Sequence, residues 1–249
     1  MSYAQSPAAL FGPNRSVALF LVTDKLSATM QIAERIYALA QERNDPKLLM
    51  GAYRALANTL YFSGKFELAR QYAMRGLQIW RSGTVESPTE EVTASGVIFW
   101  YIRALTEWHL GEIASCQATT AEAISLAEEL SDMHGLALSL YFAGSLSQFE
   151  RNPAESERMA SALIELSARH NFAFWGAAGE TLRGWALSAS ANTAEGIPWI
   201  EQGIRDFRAT GSVIPLQYML ALRAEALYLA DRTSEALEEI REGSAGRKT

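Results

Sequence analysis

The chain has 249 residues, 49% hydrophobic and 20% charged, which is ample for a continuous core and ordinary for a soluble chain. A net charge of −6 with interspersed signs argues against a nucleic-acid partner, which would need a basic patch. The single cysteine, Cys116, excludes an internal disulfide and a cysteine-based zinc cluster, and it fits a reducing compartment.

Residues 1–13 read as a flexible segment, followed by one repeat domain over 14–242 and a frayed tail over 243–249. No basic start leads into an apolar run, and Val17–Val22 is far too short to span a bilayer, so a cytoplasmic location without membrane contact is expected. A weak turn, Thr23-Asp24-Lys25-Leu26, precedes a helix that carries apolar residues at three- and four-residue spacing through Glu34–Ala40. Pro46 marks the start of the next helix, which ends at Ser63-Gly64-Lys65-Phe66. The stretch Arg81–Thr89 is rich in turn formers and reads as a loop insertion, with Pro88 at the following helix start. Further turns are Leu110-Gly111-Glu112-Ile113, Arg151-Asn152-Pro153, Ala191-Asn192-Thr193 and Asp231-Arg232-Thr233. Pro198 falls inside a predicted helix and should kink it or delay its start. Pro215 marks another helix start, and the last helix is expected over Ser234–Glu242. Ala and Leu dominate throughout and no stretch alternates with period two, so the fold class is all-α.

Counted from residues 24, 64, 111, 151, 191 and 231, the turns recur at steps of 40, 47, 40, 40 and 40. A constant period in this range predicts a solenoid of five to six helical hairpins. Superposing the units on their turns exposes a packing code. Five residues after the turn stand Thr29, Ala69, Cys116, Ser156, Gly196 and Ala236; seven before it stand Ala57, Ala104, Gly144, Gly184 and Ala224. All are small, as a close helix crossing requires. Thirteen after it stand the bulky Tyr37, Leu77, Ile124, Ile164 and Ile204, which would fill the groove beside the crossing.

These offsets, with Tyr53, Leu56-Ala57, Leu60, Gly64-Lys65-Phe66, Ala69, Ala73 and Gly76, resemble the tetratricopeptide (TPR) repeat. The resemblance covers about 17–242 and implies a right-handed superhelix. The stretch Phe172–Trp175, Leu182–Leu187, Glu195-Gly196-Ile197, Gly203 and Phe207–Gly211 resembles the helical-repeat region that follows the ATPase module in bacterial predicted-ATPase and adenylate-cyclase-type signalling regulators. No phosphate-binding Gly-x-x-x-x-Gly-Lys-[Ser/Thr] loop occurs, so the ATPase itself is absent from this sequence.

Nothing in the sequence assembles a catalytic set, and a non-enzyme without cofactor or metal is expected. His109, His134 and His170 have no His or Cys at helical ligand spacing and read as structural or surface residues. Cys116 occupies the small-residue slot and reads as packing. Glu90-Glu91, Glu128-Glu129 and Glu238-Glu239 read as solvated faces. Arg103, Arg183 and Arg223, each eight residues before a turn, either form a basic ladder or pair with Glu107, Glu180 and Glu225.

The TPR resemblance implies a concave groove lined by the first helices. It places Arg54, Asn58, Tyr61, Tyr101, Trp108, Tyr141, Gln148, Trp185 and Tyr228 there as partner-binding residues. Such aromatics bind extended peptides or are buried against the next hairpin, and the sequence leaves both open. Arg54 and Asn58 resemble the start of a carboxylate clamp, which later units do not continue. The expected function is a non-catalytic interaction or scaffold module for a protein or peptide partner. The alternative is a regulatory domain sensing a small ligand in the groove. The last hairpin has no evident cap, which predicts self-association through the C-terminal end.

Overall fold

A computed structural model of the chain describes residues 26–83, 90–212 and 215–245. Among them stand eleven α-helices and no strand. These are α1 (Leu26–Arg43), α2 (Pro46–Phe62), α3 (Phe66–Arg81), α4 (Glu90–His109), α5 (Ile113–Glu129), α6 (Met133–Phe149), α7 (Pro153–His170), α8 (Ala173–Ala189), α9 (Thr193–Ala209), α10 (Leu216–Leu229) and α11 (Thr233–Ala245). The second helices of the hairpins begin at 66, 113, 153, 193 and 233, which is the sequence period.

Local chemistry explains these boundaries. At each hairpin turn one residue adopts a left-handed backbone: Gly64, Gly111, Arg151, Ala191 and Asp231, with φ between 58° and 82°. The next amide then reaches back five residues, as Lys65 to Leu60 (2.9 Å), Glu112 to Glu107 (2.8 Å), Asn152 to Ser147, Asn192 to Leu187 and Arg232 to Leu227 (2.9 Å each). That bond satisfies a terminal carbonyl of the first helix and closes it. The new helices are capped from the side. Asp45 accepts from the Lys47 amide at 2.9 Å, and Asn152 and Asn192 accept from the amides of Glu155 and Glu195. Pro46 and Pro153 occupy the first helical position, where no N–H is needed.

Two expectations are corrected. Pro198 does not delay the start of α9, which runs from Thr193 to Ala209 with the proline inside it. Pro198 itself is exposed. The last helix continues past Glu242 to Ala245. The stretch Arg81–Thr89 becomes the end of α3, a Ser82-Gly83 turn and positions outside the described residues; α4 is also longer, at 20 residues against 17 for α6 and α8. Residues 1–13, the turn over 23–25, Pro88 and the final tail also lie outside them.

The chain divides into two compact units, which meet in sequence within α6 at Ser139 and Leu140. In the first, α1 to α5 pack each on its chain neighbour, and α2 also packs on α4. Val97, Phe99, Ile102 and Leu105 of α4 are fully buried, and the Phe99 ring lies where a side chain on Gly76 would stand. In the second, α7 to α11 follow the same rule, with α8 also on α10. Its core holds Leu163, Leu182, Trp185, Ile200, Phe207 and Leu227.

The small residues meet at the crossings. A methyl group on Gly184 would lie 2.5 Å from the Gly196 carbonyl oxygen, so α8 and α9 touch backbone to backbone. Ser156 donates to the Gly144 carbonyl at 3.1 Å across α6 and α7. Ala69, Cys116 and Ala236 are buried in the same slot. Buried hydroxyls on the helices mostly bond the carbonyl four residues back, as Thr59 does to Ala55 (2.8 Å), Thr181 to Ala177 (3.0 Å) and Ser188 to Gly184 (2.9 Å).

Candidate functional site

The nine predicted groove residues separate into three groups. Arg54, Asn58, Tyr101, Tyr141, Gln148 and Trp185 are buried, Trp185 completely at 0% exposure. Tyr61 and Trp108 are half-buried, and Tyr228 is 63% exposed. The cause is the packing of each first helix beneath its neighbours. The Tyr101 hydroxyl donates to Asn58 Oδ1 at 2.6 Å, which ties α4 to α2. Burial pushes the Tyr101 phenol far above its ordinary pKa. The Asn58 amide donates to the Arg54 carbonyl at 3.2 Å, so the positions that resemble a carboxylate clamp lie inside the unit. The Tyr218 hydroxyl donates to Gln148 Oε1 at 3.0 Å, and the Tyr141 ring lies 5.8 Å from that of Trp175.

The accessible predicted aromatics Tyr61 and Trp108 belong to one ring cluster at the turn ends of α2–α3 and α4–α5. Tyr61 lies 5.2 Å from Phe62, 5.7 Å from Phe66 and 5.6 Å from His109. Phe66 stacks on His109 at 4.1 Å with an interplanar angle of 4°, and Trp108 meets His109 edge-on at 5.1 Å. Phe62 itself is exposed, as are Leu110 and Ile113 beside the same turns. Burial pushes the Tyr61 phenol up to about 12 and moves the His109 imidazole down. The phenol therefore stays protonated, and it can donate to His109 Nε2 at 3.2 Å when that ring carries its proton on Nδ1. Burial thus biases this pair toward its uncharged form. It is well suited to recognition, with flat apolar faces and few rotatable bonds. Phe62, Phe66 and His109 were not among the expected partner-binding residues, because the groove register selects other positions, all on first helices; their signal was the aromatic pile-up within two residues of Gly64 and Gly111.

A cleft of about 570 Å³ runs along α3 and α4, lined by Arg75, Arg81, Arg103, Gln71, Met74 and Leu77 among others. The Arg81 and Arg103 guanidinium groups lie 4.9 and 5.3 Å from the Trp100 ring centre. Of the expected Arg–Glu pairs, only Arg103 with Glu107 forms (2.7 Å). Arg183 turns to Glu157 (4.0 Å) and Arg223 to Glu201 (2.9 Å) and Glu239 (2.5 Å), because partners on adjacent helices lie closer than the expected Glu180 and Glu225. Glu225 pairs with Arg151 instead. Cys116 is buried in the packing slot. Among the described residues no three His, Cys, Asp or Glu side chains group as a metal site, and no helix is long and apolar enough to cross a membrane.

On α10 and α11, Tyr228, Leu229, Leu237 and Ile240 are exposed.

No family model and no curated protein matches the sequence. The structure is similar to the crystal structure of BtubC (BKLC) from P. vanneervenii, with a TM-score of 0.61 and 13% identity over 91% of each chain. It is also similar to a protein assigned as a kinesin light chain, with nearly identical TPR-like repeats, from Podosopora anserina (TM-score 0.53, 14% identity, 79% of this chain and 95% of that one). Helix order, hairpin period and these two likenesses agree that the chain has the fold of a TPR-like all-α solenoid.

Proposed function

We propose that this chain is a non-catalytic interaction module that binds a protein or peptide partner at the α2–α5 turn ends. The observation that carries the reading is the ring cluster of Tyr61, Phe62, Phe66, Trp108 and His109, with Leu110 and Ile113 exposed beside it. Adjoining aromatic and aliphatic surface is what a partner's apolar anchor needs, and its rigidity keeps the entropic cost of binding low. The arginine-lined cleft on α3 and α4 favours a partner segment that also carries carboxylates. The resemblance of Phe172–Gly211 to repeats beside signalling ATPases supports a role in bacterial regulation, where the module would position a partner for a catalytic unit on another chain.

The test is affinity capture from the source organism with the full chain and with a Phe62→Ser/Trp108→Ala variant, followed by titration of each captured partner in purified form. The variant should bind at least about tenfold more weakly, the scale of losing one interface anchor. Equal affinity for both proteins would remove the ring cluster from the function. Tyr101 and Tyr141 make poor probes, because their substitution disturbs the core.

A second reading rests on the exposed Tyr228, Leu229, Leu237 and Ile240: self-association through α10–α11. Light scattering should show a mass that rises with concentration and falls to the monomer in Leu237→Glu/Ile240→Glu. A concentration-independent monomer of the native chain sinks it.

A further inference from the structure

A second cleft, of about 510 Å³, opens between α7, α8 and α9, on helices that carry none of the ring cluster. Ile164 and Phe172 give it apolar walls, Gly176 leaves its floor without a side chain, and Ser167, Glu180 and Asp206 supply its polar atoms. Ser167 is 4% exposed, yet its hydroxyl has no hydrogen-bond partner among the described residues. Its neighbours in type, Thr181 and Ser188, each bond the carbonyl four residues back. Ser167 does not, which leaves a buried donor and acceptor beside the cleft.

Glu180 is in the same condition. Its Oε2 is buried and unpartnered. Burial and then the nearby Asp206 carboxylate hold the Glu180 carboxyl above its ordinary range. The cation expected to neutralise it, Arg183, is drawn away: it lies 4.0 Å from Glu157 and stacks 4.6 Å from the Trp199 ring centre. Asp206 accepts one bond, from Gln202 Nε2 at 2.7 Å. The cleft therefore combines two carboxylates and a hydroxyl that no cation among the described residues is paired with, beside apolar lining residues.

We propose that this cleft binds a primary alkylammonium group, carried by a lysine side chain of a partner segment or by a free diamine. An ammonium head offers three hydrogen-bond donors, as many as the polar side chains Ser167, Glu180 and Asp206 that line the cleft. Its methylene stem covers the Ile164 and Phe172 walls while the charge meets the carboxylates. A guanidinium group is planar and seeks bidentate partners, and a divalent cation such as calcium seeks six or more oxygen ligands, so both fit the set less well.

The experiment is calorimetric titration of the full chain, at low salt, with 1,5-diaminopentane, with a Gly-flanked lysine peptide and with the same peptide carrying norleucine. The amine-bearing probes should bind and the norleucine peptide should not. Glu180→Gln should weaken amine binding at least about tenfold, the scale of one charged hydrogen bond. The same substitution removes a desolvated, repelled carboxylate, so the melting temperature should rise, and a loss of binding then cannot be attributed to unfolding. Gly176→Leu, at a lining position where an added Cβ would make only an ordinary contact with Ser167 Cβ at 3.5 Å, should occupy the cleft and abolish binding in a folded protein. Tighter binding of the peptide assigns the source to a polypeptide and tighter binding of the diamine to a small molecule; both uphold the ammonium site. No binding of any amine at millimolar concentration, or equal binding by the native chain and Glu180→Gln, overturns it.

Discussion

The hairpins of the two compact units are built to one plan but place glycine differently. In α2–α3 and α4–α5 the left-handed turn residues are Gly64 and Gly111, while the crossings use Ala57 with Ala69 and Ala104 with Cys116. In α6–α7 and α8–α9 the turn residues are Arg151 and Ala191, while the crossings use Gly144 with Ser156 and Gly184 with Gly196. The last hairpin has glycine at neither place, with Asp231 at its turn and Ala224 and Ala236 at its crossing. Glycine thus performs two separable tasks. At the turn it relieves a backbone conformation that a side chain makes costly; at the crossing it lets two helix backbones meet.

That separation can be broken experimentally, and the crossing should respond most. Gly184→Ala must accommodate a methyl group 2.5 Å from the Gly196 carbonyl oxygen and 2.7 Å from the Ile200 amide, and backbone on both sides leaves nothing flexible to yield. The overpacking should outweigh the helix-propensity gain and cost at least about 2 kcal/mol in urea unfolding. Ala104→Gly, the reciprocal change in α4, should lose only about 1 kcal/mol through propensity. If the two losses were equal, the crossings would not differ in closeness.

The turns should respond less, and with opposite signs. Gly111 has a φ of 82° with open space around it, so Gly111→Ala should lose about 1 kcal/mol from backbone strain alone. Ala191 holds a φ of 67°, and Ala191→Gly should gain about 0.5 kcal/mol, because relief of that strain is partly offset by a more flexible unfolded chain. Thermal or urea unfolding of the pair would show whether the left-handed turn costs the same in both units.

Much of this plan was legible beforehand. Of the turn positions counted in the sequence, the five within the described residues are left-handed, because one-residue reversals between helices draw on a small set of backbone shapes. The small-residue slots are the crossings, because close packing tolerates no bulk there. The candidate site was legible only in part. Asn58, Tyr101 and Trp185 fit the periodic register of a groove, yet the adjoining helices bury them. Arg183 and Arg223 chose glutamates on other helices over those near them in sequence, because an ion pair follows distance in space. Pro198 was expected to kink α9 or delay its start, yet the helix begins five residues before it at Thr193.

The sequence by itself determined the helices, their turns and the residues that meet at each crossing. Each of these depends on contacts within one hairpin, and those repeat at a constant step. Only the tertiary structure decided which aromatics reach the surface, that five rings gather beside Gly64 and Gly111, and that Ser167, Glu180 and Asp206 share one cleft. Those outcomes depend on how side chains from three or four helices divide the space between hairpins, and no single period in the chain encodes that division.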